Sequence, residues 1–426
     1  MDTVLHSLPE MIHTQEYVVA TYFIKLPKEV DVIKKAESLA IGQTIGTWVP
    51  IPGITDEIRK KYMGKVVNIF EIPAMELMTQ IDGETICYIM QIAYPAANFG
   101  SDFPLMLTAL LGNDASTSAQ VKLMDIEFPE QFMKKFAGPR FGIEGIRKKF
   151  NIYERPLLLN MIKPCTGTSP EQGAEIFYQV AKGGVDLIKD DELFGNPQYN
   201  PTEKRTAAYK EAARHVYEET GHRTYYFANV TRGVDDLLDG IHRIEDAGAD
   251  GLMVNFAILG YSTLKYIAEN TRLPILGHSA GAGMYTEGTM NGMATPLAVG
   301  KLARLAGADI VMLNTPYGGY PLRKQKYMQT IEQLVLPLNG IQASMPSIGG
   351  GVHPGIVEKY IKEAGKDIVL AAGGSIQGHT MGAIEGAKAM RDAIDIACTG
   401  RDFLEAAKGH IELENAIARW GYVEKQ

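Results

Sequence analysis

Between residues 183 and 195 the chain reads GGVDLIKDDELFG, so an apolar run from Val185 to Ile188 stops at Lys189 and meets Asp190, Asp191 and Glu192 in succession. A run of four charges is most often a solvated loop, unless its surroundings need those charges together. Asp191 and Glu192 are adjacent carboxylates, hard oxygen donors of the kind Mg2+ takes, while Asp190 can face away into structure. A lysine beside a cation-binding pair is repelled unless it is neutral or converted to an anion. Carbamylation of Lys189 by CO2 does the latter and supplies a third oxygen ligand. Two further ionisable residues close apolar runs: Lys163 in NMIKP and His278 in ILGHS. The stretches IGGGVH (348–353) and AAGGSIQGH (371–379) are glycine-rich turns, in which backbone N–H groups can approach an anion closely.

The elements needed to hold these groups together are visible as periodicity. Eight short apolar runs, at 156–163, 184–190, 224–230, 251–256, 274–279, 309–314, 341–347 and 367–374, alternate with amphipathic helical stretches that end in glycine. That pattern predicts a (β/α)8 TIM barrel, with a doubly wound open sheet as the alternative. In such a barrel the catalytic groups sit at the C-terminal ends of the strands, where Lys163, Lys189, Asp191, Glu192 and His278 fall. The first part of the chain has a different rhythm. Strands are expected at 16–27, 64–73, 84–95 and 120–129, with helices at 31–43 and 101–113, the second capped by Ser101 or Asp102. The order β-α-β-β-α-β is that of a ferredoxin-like α+β domain. The stretch AGPRFG (137–142) and the polar residues around Asn151 place the division at 1–145 and 146–426.

Composition narrows the function classes. With 46% hydrophobic and 22% charged residues the 426-residue chain is globular, and a formal net charge of −8 disfavours nucleic acid. Cys87, Cys165 and Cys398 lie far apart, which argues against a disulfide framework or zinc site and fits a reducing cytoplasm. No stretch is apolar for long enough to predict a membrane span, and the N-terminus does not read as a secretory leader.

Taken together, GGVDLIKDDE, MIKP, IGTW, LLGN, GGGVH and AAGGSIQGH resemble the corresponding segments of ribulose-bisphosphate carboxylase/oxygenase and, more closely, the RuBisCO-like (type IV) proteins, along almost the whole chain. The resemblance implies that Lys189 is carbamylated and binds Mg2+ with Asp191 and Glu192. It makes Lys163 and His278 active-site residues, and Gly350, Gly351, Gly373 and Gly374 phosphate-binding residues. Thr47 and Trp48 would bind a substrate phosphate, and Asn113 would reach the active site, across the interface of a homodimer. The substrate would be a small phosphorylated keto-sugar or keto-acid.

The departures from the family matter as well. The carboxylase lysine on the loop after strand six corresponds to Gly319, with Lys324 too far along to replace it; the strand-six histidine corresponds to Met312, and the arginine after the strand-five histidine to Ser279. CO2 fixation is therefore not expected, and enolate formation is what survives. The texture of the chain is closest to the methionine-salvage enolase acting on 2,3-diketo-5-methylthiopentyl 1-phosphate. That enolase has a lysine base where this chain has Asn113, which cannot accept a proton. Decarboxylation or hydrolysis of a branched 3-oxo sugar-acid phosphate is accordingly ranked first, the salvage enolase second with Lys163 as base, and a non-catalytic phosphate-ester-binding barrel third.

Overall fold

The computed structural model describes residues 3–47, 49, 51–77 and 83–424, so Trp48 lies outside the described residues. The chain divides into two compact units. One comprises Met1–Ala137 with Gly281–Ala298 and Asn339–Ile341; the other comprises Gly138–Ala280, Val299–Leu338 and Gln342–Gln426. Among the described residues no helix is long and apolar enough to cross a membrane.

The first unit is built on β1 (Tyr17–Pro27), β2 (Lys65–Ile72), β3 (Thr85–Pro95) and β4 (Lys122–Glu127), in sheet order β4-β1-β3-β2. β1 and β3 pair antiparallel from Tyr17↔Pro95 to Pro27↔Thr85. The alternation of Tyr22 and Ile24 with less buried neighbours gives one covered face. Both expected helices are present, Val32–Gly42 capped by Asp31 and Phe103–Leu111 capped by Asp102, whose side chains accept N–H bonds in the first helical turn. A fifth strand, β10 (Gly292–Met293), adds parallel to β4. Two residues carry no period, so this strand leaves no trace in the sequence.

All eight barrel strands are found: β5 (Leu157–Met161), β6 (Leu187–Lys189), β7 (Tyr225–Asn229), β8 (Gly251–Asn255), β9 (Ile275–His278), β11 (Ile310–Asn314), β12 (Met345–Gly349) and β13 (Val369–Ala371). They close in parallel, with β13 paired to β5. The alternate residues Leu157, Leu187, Phe227, Met253, Leu276 and Ile310 belong to the packed barrel core, so the interior is filled with side chains and leaves only the strand ends for chemistry. The expected seventh strand at 341–347 sits later in the chain. Residues 341–344 are irregular, and Ser344 is tied by its N–H to Leu334 O and by its hydroxyl to Ala308 O.

The barrel unit begins before the division at 145/146. Helix Gly142–Phe150 contributes Ile146 and Phe150 to the barrel core. Asp309, buried at the start of β11, accepts the N–H groups of Phe141 (2.6 Å), Gly142 (3.0 Å) and Ile275 (2.9 Å). Asp309→Ala leaves three N–H donors without an acceptor and is expected to lower the unfolding free energy by about 3 kcal/mol. Chemical denaturation read by circular dichroism measures it, and an unchanged midpoint and slope would show that the anchor is dispensable.

Candidate active site

Alternation along β6 decides which charges enter the barrel. Leu187 lies in the core, so Lys189 points the same way, and Asp190 points outward to the helix layer. There Arg205, on helix Thr202–Thr220, holds the Asp190 carboxylate by two bonds, Nε at 3.0 Å and Nη2 at 2.9 Å. Tyr226 OH (2.8 Å) and the Asn229 N–H (2.9 Å) complete it. The same guanidinium donates to Asn200 O and Gly195 O, both at 2.9 Å, and lies over the Phe194 ring. A buried ion pair satisfied in this way shapes the whole 190–200 loop. Burial opposes the charge on Arg205, but Asp190 outweighs it and the net shift is upward.

Facing the other way are Lys189, wholly buried, Asp191 at 2% exposure and Glu192, whose side chain is 32% exposed. Lys189 Nζ donates to Asp190 O at 2.9 Å and lies 3.8 Å from Glu192 Oε2. Burial pushes this amine below the usual lysine range against the opposing pull of Glu192, Asp191 and Asp190. Burial thus makes this amine easier to deprotonate than a solvent-exposed lysine. Lys163 Nζ bonds Asp191 Oδ2 at 2.5 Å and Cys165 Sγ at 3.0 Å. Partial burial lowers the Lys163 pKa, yet these two partners outweigh it and raise the value overall. Burial likewise raises the Asp191 carboxyl, but Lys163, the Leu193 N–H and the Lys189 charge bring it below the ordinary range. His278 Nδ1 accepts the Ala280 N–H at 3.1 Å, which leaves the ring proton on Nε2, 3.5 Å from Glu192 Oε2. Burial first, and the Lys189 charge second, hold this imidazole neutral.

Asn229 at the end of β7 donates from Nδ2 toward the Asp191 and Glu192 carbonyls at 3.4 and 3.3 Å. Met161, at the end of β5, and Met312, on β11, bring thioethers to the top of the barrel core. Ser279, next to His278, spends its hydroxyl on Met312 O at 3.0 Å. Lys324 is engaged by Glu363 at 3.1 Å.

The structure brings Lys163, Lys189, Asp191, Glu192 and His278 into one cluster. The two glycine turns lie on the same barrel, following β12 and β13. Gly350 (φ +85°) and Gly351 (φ +93°) occupy backbone conformations that favour glycine. A Cβ on Gly373 would sit 2.9 Å from Met161 Sδ, whereas one on Gly374 would meet open space. Thr47 and Asn113 belong to the other unit. Thr47 is half-buried and accepts the Val49 N–H; Asn113 is exposed and lines a 650 Å³ cleft with Gln43, Thr44, Tyr62 and Asn98. The placement of Cys165 against Lys163 and the role of Arg205 had no signal in the sequence, because neither side chain stands in a chemical motif. Asp190→Ala strands Arg205 as a buried charge and is expected to cost about 3 to 5 kcal/mol of stability; urea unfolding tests it, and a loss below about 1 kcal/mol would contradict the structural role given to Asp190.

Comparison with known proteins places this architecture. Residues 142–420 match the family model for the ribulose bisphosphate carboxylase large chain, catalytic domain, and residues 9–132 match that for its N-terminal domain. A ribulose bisphosphate carboxylase-like protein from Archaeoglobus fulgidus is 41% identical over 396 residues, covering 92% of this chain and 90% of that protein. A 2,3-diketo-5-methylthiopentyl-1-phosphate enolase from Geobacillus kaustophilus is 39% identical over 410 residues, 96% of this chain and 98% of the relative. The crystal structure of a rubisco-like protein (MtnW) from Alicyclobacillus acidocaldarius superposes with a TM-score of 0.88 at 34% identity, covering 95% of this chain and all of that one. A barrel carrying lysine and carboxylates at the end of its second strand, the two domain matches and these relatives agree: the chain belongs to the RuBisCO large-chain family, as a RuBisCO-like protein.

Proposed function

We propose that this protein is a Mg2+-dependent enolate-forming enzyme acting on a singly phosphorylated diketone, 2,3-diketo-5-methylthiopentyl 1-phosphate. The observation that carries this reading is the lysine–carboxylate cluster, in which Lys163 and Asp191 share a 2.5 Å bond and both act electrostatically on the buried Lys189. Relatives named as that enolase favour this substrate over the branched 3-oxo sugar-acid phosphate expected from Asn113 alone.

The residues present fit the implied cation. Asp191 and Glu192 offer hard oxygens. Among the described residues no group of three His, Cys, Asp or Glu could hold a metal by itself. Lys189 would complete the set: its uncharged amine is the form that adds CO2, releasing a proton to solvent, and the carbamate would contribute an oxygen. Bound Mg2+ supplies Lewis-acid stabilisation of an enolate oxygen.

The chain's own groups do the rest. Lys163 with its proton held by Asp191 is a poor base; with Asp191 engaged elsewhere, the amine loses the partner that raised its pKa and can take a proton from the carbon beside a carbonyl. His278, neutral with its proton on Nε2, can donate to an oxygen gaining charge without itself carrying charge. The backbone at Gly350, Gly351, Gly373 and Gly374 receives the phosphate. Met312 and Ser279 stand in place of the carboxylase histidine and arginine, so this part of the mouth carries no cationic side chain at those positions and suits an apolar thioether. We assign the working form as a homodimer in which Thr47, Trp48 and Asn113 of one chain reach the partner's site, in a cytoplasmic setting.

Asn113 favours a second reading, decarboxylation of a branched 3-oxo sugar-acid phosphate, because that reaction needs no base at this position. Phosphorus and proton NMR in heavy water, with Mg2+ and bicarbonate, separates the two. Conversion of the diketone to the enol phosphate, with deuterium uptake, supports the enolase; inertness toward the diketone together with CO2 release from the sugar-acid phosphate supports the decarboxylase. Lys163→Met is expected to reduce kcat about 10³-fold, and Asn113→Ala by less than about tenfold. The reverse order would remove Lys163 as the base. Lys189→Ala should abolish the Mg2+ response, and retention of that response would remove Lys189 from the metal site.

A further inference from the structure

Past the end of β5 the chain leaves the barrel ladder. The Ile162 N–H still reaches Lys189 O, at 3.3 Å. Both polar backbone atoms of Lys163 are instead taken by one side chain. Gln377 Oε1 accepts the Lys163 N–H at 2.9 Å, and Gln377 Nε2 donates to Lys163 O at 2.7 Å. A primary amide closed on one residue in this way replaces the neighbouring strand that a barrel residue ordinarily has.

Gln377 is also placed to connect two parts of the site. It ends the short helical turn Gly374–Gln377, which begins at the glycine pair after β13. Within that turn the buried Ser375 donates its hydroxyl to Val352 O at 2.7 Å, next to Gly350 and Gly351. A hydrogen-bonded line therefore runs from the turn after β12, through Ser375 and Gln377, to the Lys163 backbone, and on through Nζ to Asp191. A lysine on four rotatable bonds is a loosely aimed group. The Asp191 bond steadies its far end only while that carboxylate is free of a cation. With Asp191 committed to a cation, the backbone clamp would be what keeps Lys163 aligned.

We propose that Gln377 is a positioning residue, holding the Lys163 backbone in register with the two glycine turns so that a phosphate ester anchored there presents its reacting carbon to Nζ. The inference rests on the enolase reading for the role of Lys163. A misplacement of about 1 Å in such a group can cost about 10²-fold in rate, which sets the expected size of the effect.

The test compares the full-length enzyme with Gln377→Met, Gln377→Glu, Lys163→Met and the Gln377→Met/Lys163→Met double variant. Amide hydrogen exchange at Lys163, resolved by fragmentation mass spectrometry, should accelerate about tenfold or more in Gln377→Met, with Ile162 unchanged. Turnover of the diketo phosphate should lose about 10- to 100-fold in kcat with KM within about threefold. The double variant should be no slower than Lys163→Met. Gln377→Glu keeps the acceptor for the Lys163 N–H and is expected to fall between Met and wild type; it carries the test if the Met variant does not fold. An unaltered kcat in the folded variants, or a further loss of similar size in the Lys163→Met background, overturns the positioning role. A wild-type enzyme inert toward the diketone sinks the enolase reading instead. The exchange arm then decides: faster exchange at Lys163 supports the clamp and unchanged exchange refutes it.

Discussion

A strand covered on both sides must send successive side chains into different surroundings, and at the end of β6 this divides four consecutive charges. Lys189 and Asp191 enter the barrel mouth, while Asp190 is turned to the helix layer and held by Arg205, Tyr226 and Asn229. Breaking a buried pair of this kind leaves an uncompensated charge, which is far more costly than the pair's own net worth. The outward pair therefore acts as a stop. It fixes the register of the loop, and with it the direction in which Asp191 and Glu192 face.

The inward charges are balanced differently. Lys189 is surrounded by three carboxylates and still lies below the usual lysine range, because burial is the larger effect. Lys163 sits higher in the mouth, at 41% exposure, and keeps its proton through Asp191 and Cys165. Two lysines in one cluster are thus pushed in opposite directions, Lys189 downward by burial and Lys163 upward by its bonds to Asp191 and Cys165. Such a divergence is what a site needs if one amine is to be modified and the other is to handle protons. The rest of the mouth is asymmetric, with Asn229 and His278 on one side and Met161, Met312 and the glycine turns on the other.

Much of this was legible in the sequence because it is local. Eight apolar runs separated by helical stretches define the barrel, and caps at Asp31 and Asp102 mark helices by their immediate neighbours. The Lys189–Glu192 run and the glycine turns are contiguous words of the chain. What escaped depends on pairing across distance. β10 is two residues long; Gln377 meets Lys163 across 214 positions; and Asp309 recruits helix Gly142–Phe150 into the barrel unit from 167 positions away. The substrate ranking rests on Asn113 alone; the relatives named as the salvage enolase favour the second-ranked reading, for which Lys163, bonded to Asp191, is already the base named from the sequence.

The account turns on whether Lys189 becomes the third ligand of a cation site. The direct measurement is carbon NMR of the protein in 13C-labelled bicarbonate, with and without Mg2+, for wild type and Lys189→Ala. The account predicts a carbamate carbon in the wild type that strengthens with Mg2+ and is absent from the variant. A wild-type spectrum without that carbon at saturating bicarbonate and Mg2+, or the same signal in Lys189→Ala, would contradict it.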